Sequence, residues 1–428
     1  MRRLLTPRRK YVIAGGASAI VFGFAVGTRF VRPRVDDEDS LCRPWTSSRF
    51  DFTELLLISK RAALFWNHRT QEQGDLERIR EWHQRNGFLG GVVVRDSDGV
   101  PTFKDGSGYF LYYELHGSGN RTQHVFVRGT ADRADALADI RASHGSLALR
   151  GADERERAMA VHLGFLETAR ALHDDLRPLL DERAQITLSG HSMGGAVATI
   201  LALALKAEGF DVASLVTFGA PRLTDDAGGA LAMDVLGRGA SPTRLVRVAN
   251  ESDPFPSLPF WWWASPAGAA VACAITLAAQ ARAHFPGDAG PSAPPTSVAS
   301  TSSAGPFGGD DNLRGASSYS HFGPQLLFVA PERCDGAPRN SSPEVSTRFV
   351  FLDGETPTQK YGDGSGFLLG SFLRSLRATG DVPAHRMSTY QEEISRCLEP
   401  GAGREVRFSE RHRGLSPGPQ TQKEETAL

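Results

Sequence analysis

The segment that most limits this chain is Ile186-Thr187-Leu188-Ser189-Gly190-His191-Ser192-Met193-Gly194-Gly195-Ala196. An apolar run with the length of a buried strand, residues 185–188, leads into Gly-x-Ser-x-Gly. An Ala- and Leu-rich run of helical length, residues 196–208, follows at once. A strand can turn this sharply into a helix only where neighbouring side chains are missing, because the turn strains its central residue and crowds the backbones around it. The Ser192 hydroxyl is thereby projected into open space. The backbone N–H of Met193 falls at a helix N-terminus, where it can hold a developing anion, so Met193 is a candidate oxyanion donor. An idle serine in a glycine-rich loop would need neither the strand nor the helix.

The flanks alternate strand and helix. Short strand-like runs at 91–95, 109–116 and 124–127 come first, then a helical pattern at 154–180. Beyond the elbow, strands are expected at 214–218, 245–249, 326–329 and 348–352, and a helix at 382–397. Such alternation with short connections predicts an α/β fold, with a mostly parallel central sheet and helices on both faces. Residues 36–84 read as a linker and amphipathic helices, and residues 399–428 as a polar tail. Asp96-Ser97-Asp98-Gly99 reads as a hairpin turn; it lacks the later ligands of a calcium loop.

A serine hydroxyl is a weak nucleophile without a base, and the base needs an acid to orient it. In doubly wound hydrolases the chain order is serine, acid, histidine. The strand at 245–249 is followed by Asp253. Glu251 and Asp234 compete, but Glu251 lies too near the strand end and Asp234 within a helical pattern. Four histidines come later: His284, His321, His385 and His412. His284 lies in a low-complexity stretch and His412 in the polar tail. A base just before a closing helix can swing over the sheet, which suits His385. His321 starts a strand pattern, where a packed histidine is the plain alternative.

Charge separates the N-terminus from the rest. The whole chain carries a net charge of −1, which leaves no footprint for nucleic acid, yet residues 1–35 hold eight basic residues and no acid. Within them, residues 11–28 contain no charge, and eighteen residues span about 27 Å as a helix. The expectation is a single N-terminal anchor outside the folded domain and a membrane-associated protein. A cleaved signal or an organellar presequence is the alternative, since Ala25-Val26-Gly27 has small-x-small form. A second charge-free run covers 254–281 and includes Trp261-Trp262-Trp263. Tryptophan favours lipid–water interfaces, so this run is expected either to dock on lipid or to cap the site. The four cysteines, Cys42, Cys273, Cys334 and Cys397, form no zinc or CxxC spacing.

Further segments fall in order around the elbow. Val125-Phe126-Val127-Arg128-Gly129-Thr130 ends a strand. Val161-His162-Leu163-Gly164-Phe165 precedes a long helix. Thr217-Phe218-Gly219-Ala220-Pro221-Arg222 and Asn250-Glu251-Ser252-Asp253-Pro254-Phe255-Pro256-Ser257-Leu258-Pro259 follow, and His385 and Tyr390 close the set. The ordered set resembles the class 3 lipases, the fungal-lipase-like branch of the α/β-hydrolases that includes the diacylglycerol lipases. The resemblance covers about residues 85–398, with a low-complexity insertion at 260–318. It implies Ser192, Asp253 and His385 as the catalytic residues, Thr130 as a second oxyanion donor beside Met193, and a lid near 131–143. It assigns His321 to a non-catalytic position of the family. Ala384 departs from the family, where an acid usually precedes the histidine.

The implied activity is hydrolysis of a carboxylic ester of an acylglycerol or related glycerolipid, through an acyl-enzyme and without cofactor or metal. The partners expected are a lipid ester and a membrane surface, with no nucleic acid; protein partners are left open. A soluble carboxylesterase, a phospholipase A1 and a catalytically silent lipid-binding scaffold are the competing readings.

Overall fold

The computed structural model describes residues 51–66, 81, 85, 92–96, 108–115, 121–129, 144–150, 155–239, 241–258, 306–307, 319–329, 347–352, 383–398 and 403–405. The anchor segment 11–28, the lid segment 131–143, Thr130 and the three tryptophans lie outside them.

Short runs rich in apolar and β-branched residues build the middle of a nine-stranded sheet. Its strands are β1 (Val92–Asp96), β2 (Gly108–Leu115), β3 (Arg121–Arg128), β6 (Gln185–His191), β7 (Asp211–Phe218), β8 (Arg244–Asn250), β9 (Gln325–Val329), β10 (Thr347–Leu352) and β11 (Gly403–Glu405), in that spatial order. The five strands from β3 to β9 run parallel, while β1, β2 and β10 pair antiparallel with their inner neighbours. Parallel strands need crossovers, and crossovers place helices on the sheet faces.

Helices α2 (Leu163–Leu176), α3 (Met193–Ala207) and α4 (Asp226–Leu236) share one core with Val125, Val127, Ile186, Leu188, Leu215 and Leu245 of the sheet. The residues on the other side of these strands, Phe126, Val216, Phe218, Val246 and Val248, join a second core. There they meet Phe52 and Leu55 of α1 (Phe52–Trp66) and Met387, Tyr390 and Ile394 of α5 (Met387–Leu398). The period-two alternation of β3, β7 and β8 thus supplies both cores. Every residue of α3 from Met193 to Leu205 is buried. Its alanines let the helix lie close to the sheet, and each large aliphatic side chain contributes about 1.5–3 kcal/mol of burial.

One expected element differs. The helical pattern at 154–180 divides into strand β5 (Glu156–His162) and α2. Strand β5 pairs antiparallel with β4 (His144–Arg150) as a separate two-stranded sheet. The Arg/Glu-rich start favours helix locally. Pairing with β4 overrides it, because Met159 and Val161 then enter the core while Glu156 and Arg157 stay in solvent. Among the described residues no helix is long and apolar enough to cross a membrane.

Candidate active site

Strand β6 ends at His191, and α3 starts at Met193, so Ser192 alone forms the turn. Its φ of 58° is the one positive value for a non-glycine among the described residues. Such a backbone persists only where its surroundings fix it. The Ser192 N–H donates to the Phe218 carbonyl at 2.8 Å, and Gly195 N–H donates to the Ser192 carbonyl at 2.9 Å. A β-carbon on Gly190 would lie 2.3 Å from the Gly194 carbonyl oxygen, and one on Gly194 would lie 2.4 Å from the Val127 carbonyl oxygen. The two glycines of the motif therefore let the elbow close on itself and α3 abut the end of β3. Gly129, the residue before Thr130, also lies against Gly194. The N-terminus of α3, with Met193, thus faces the chain just before Thr130.

The acid comes from the loop after β8. Asn250 shapes this loop: its side-chain oxygen accepts from Ser252 N–H, and its carbonyl accepts from Asp253 N–H, each at 2.9 Å. Asp253 Oδ1 accepts from Phe255 N–H at 2.9 Å. The histidine comes from the one-turn helix Pro383–His385 that precedes α5.

Residues far apart in sequence meet here. His385 Nδ1 lies 2.8 Å from Asp253 Oδ2, and His385 Nε2 lies 2.8 Å from Ser192 Oγ. A carboxylate accepts only, so Nδ1 carries the proton and Nε2 accepts from the serine hydroxyl. All three side chains are buried, with Asp253 2% exposed. The Phe255 ring stacks on the imidazole at 3.6 Å and 13°, which fixes its plane. This chain of donors and acceptors can draw the serine proton onto histidine while aspartate balances the imidazolium.

The other candidates lie elsewhere. His321 Nε2 donates to the Pro256 carbonyl at 2.5 Å and so braces the acid loop. Burial, then Arg247 and Arg222, hold its pKa well below the usual histidine value. Asp234 lies on α4 and pairs with Arg238 at 3.3 Å. Glu251 is exposed, and its N–H donates to the Phe328 carbonyl at 2.8 Å. His284 and His412 fall outside the described residues. Cys397 carries a free thiol, pushed up to about 12 by burial and then by Glu393.

Two contributors carried no assigned role in the sequence. Tyr390 O–H donates to Asp253 Oδ2 at 2.6 Å, the oxygen already bound to His385. Gly219 has φ 59°, and a β-carbon there would lie 2.9 Å from Asp253 Oδ2 and 3.2 Å from His385 Cε1. The glycine after the β7 strand pattern was a signal available for the second; for the first, only the spacing from His385 to Tyr390 hinted at a partner.

Residues 124–262 match the family described as lipase (class 3). Secreted mono- and diacylglycerol lipase A of Penicillium camembertii is 28% identical over 151 residues, 31% of this chain and 47% of that protein. Secreted mono- and diacylglycerol lipase 2 of Gibberella zeae is 35% identical over 121 residues, 25% of this chain and 30% of that protein. The chain thus spans about half or less of the length of these relatives. Among solved structures, a mutant form of MDLA from Penicillium cyclopium aligns over 73% of this chain and 89% of its own, with 16% identity and a TM-score of 0.41. Lip2 lipase from Yarrowia lipolytica aligns over 50% and 79%, with 20% identity and a TM-score of 0.35.

These relatives correct one expectation. The membrane-associated localisation with a single anchor, read from residues 1–35, is overturned: the relatives are named as secreted lipases, and no helix among the described residues can cross a membrane. The expectation failed because a basic start followed by a short apolar run is common to anchors and export signals, so charge pattern alone does not separate them.

Proposed function

We propose that this chain, whose residues 124–262 match the class 3 lipase family, is a serine-dependent lipase. It hydrolyses a carboxylic ester of an acylglycerol or related glycerolipid through an acyl-enzyme. The observation that carries the reading is the unbroken path from Ser192 Oγ to His385 Nε2, and from His385 Nδ1 to Asp253, at 2.8 Å each, on a strained elbow.

In this reading Ser192 Oγ attacks the ester carbonyl carbon as its proton passes to His385 Nε2. The charge on the carbonyl oxygen is held by the N–H of Met193 at the start of α3 and by that of Thr130. Asp253 stabilises the imidazolium, which then protonates the departing alcohol oxygen. Water adds to the acyl carbon, gives a proton to His385, and the fatty acid leaves as that proton returns to Ser192. The charge-free run 254–281, which begins beside Asp253 and holds three tryptophans, supports a substrate presented at a lipid surface.

The test is labelling with a fluorophosphonate probe, followed by hydrolysis of a panel of mass-resolved glycerolipids. Ser192→Ala is expected to stay folded, lose labelling, and lose about 10³-fold or more of its turnover. Retention of half the hydrolysis in Ser192→Ala overturns the nucleophile. A wild-type protein that takes no probe is a silent scaffold, and one that cleaves only short soluble esters or phospholipids falls to the competing readings.

A further inference from the structure

His191 stands one residue before the nucleophile and has no part in the proton path, yet it reaches the base. Its Nε2 lies 2.7 Å from the backbone carbonyl oxygen of His385. A carbonyl accepts only, so Nε2 carries the proton and donates. The two imidazole rings sit 4.7 Å apart at 34°, and the His191 ring meets the edge of Tyr390 at 6.2 Å and 71°. His191 is 4% exposed.

His385 has to keep its ring within hydrogen-bond reach of a serine 193 residues earlier in the chain. Asp253 and Phe255 hold the ring, one at Nδ1 and one on its face. Neither holds the backbone that carries it. Arg386 N–H and Thr389 Oγ1 both donate to the Pro383 carbonyl; the first closes the turn around His385 and the second ties it to the start of α5, so neither reaches the sheet. The bond from His191 links that turn to the end of β6. We propose that His191 is a positioning residue for the reaction: it fixes the His385 backbone to the strand that also presents Ser192, so that nucleophile and base move together. This rests on the reading of His385 as the base.

The neutral state of His191 suits the role. Burial, and then the neighbouring His385, hold its pKa well below the usual histidine value. It therefore remains an uncharged donor when the imidazolium forms beside it. A charged neighbour there would oppose the step.

The test separates the donor from the ring. His191→Phe keeps an aromatic ring and removes the donor, whereas His191→Gln keeps an N–H donor and removes the ring. Loss of one hydrogen bond that acts in the transition state is expected to lower kcat of His191→Phe about tenfold, with KM unchanged. His191→Gln is expected to stay within about threefold of wild type. Equal activity of His191→Phe and wild type, or equal damage in both variants, overturns the inference.

A second readout needs neither turnover nor a variant that folds. Nitrogen-15 NMR of the wild-type protein is expected to show His191 as the neutral Nε2–H tautomer; an Nδ1–H tautomer overturns the inference. A wild-type protein that neither labels nor hydrolyses defeats the function instead, and the tautomer then still decides whether His191 makes its bond.

Discussion

Asp253 accepts from Phe255 N–H on one oxygen and from both His385 and Tyr390 on the other. The phenol cannot compete for the negative charge. Burial and then the Asp253 carboxylate push its pKa well above the tyrosine value, so it remains a donor. Tyr390→Phe removes one hydrogen bond to a charged group and is expected to cost about 1.5–3 kcal/mol of stability. It should also lower kcat more than it raises KM, because the orientation of His385 loosens; denaturant titration and steady-state kinetics check the two effects. His385→Ala is expected to match Ser192→Ala in lost turnover. His321→Ala should instead cost about 1–3 kcal/mol by leaving the Pro256 carbonyl unmet, with turnover largely kept. Equal loss of turnover in the two histidine variants would reverse their roles. The placement of Ser192 and Asp253 just after strands was legible, because the local pattern sets where each strand ends. The role of Tyr390 was not, since its bond reaches across 137 residues and no local pattern encodes it.

Among the elements, α1 and α5 show how far local pattern reaches. The apolar spacing from Phe52 onward predicts a helix, and the structure has one from Phe52 to Trp66. Its partner is not written in that spacing. Phe52 and Leu55 pack into the core that holds Met387, Tyr390 and Ile394 of α5, and Gln391 Nε2 donates to the Ser59 carbonyl at 3.0 Å. Helix α1 therefore backs the helix that follows His385. Phe52 meets Phe349 edge-on at 5.4 Å and 71° and is buried. Phe52→Ala is expected to cost about 3–5 kcal/mol. Glu54→Ala breaks only the half-exposed pair with Arg244 and should cost about 1 kcal/mol or less. Chemical denaturation of the two variants checks the contrast; a mild Phe52→Ala would mean that α1 is dispensable to this core. The β4–β5 hairpin marks the opposite limit. Its Arg/Glu-rich strand has a helix former's composition, and only the cross-strand partner, such as Leu147 opposite Met159, decides the outcome.

At the scale of the whole molecule, alternating elements were enough to foresee the parallel sheet, and Ser192 and Asp253 both follow the C-terminal ends of its parallel strands. Location was not legible in the same way, because an export signal and an anchor share one charge pattern. Three histidines have a further consequence for the molecule as a whole. His144, His191 and His321 each have a pKa held below the usual value near 6.5, with burial the largest cause in every case. The unfolded chain binds protons at these positions as pH falls below about 6.5, while the folded chain does not. Their neutral forms therefore support the fold above that pH, and the support is lost as pH falls toward the folded-state values. Each such histidine contributes a slope of up to about 1.4 kcal/mol per pH unit over its window. Thermal unfolding of Ser192→Ala is expected to show Tm falling between pH 6.5 and pH 5, before most carboxylates titrate. His144 stacks on Tyr319 at 4.4 Å and 16°, a contact that phenylalanine can keep. His144→Phe in the same background should flatten the Tm profile over that range while leaving Tm at pH 8 nearly unchanged. A profile as steep as before would mean that His144 does not contribute to the acid sensitivity of the fold.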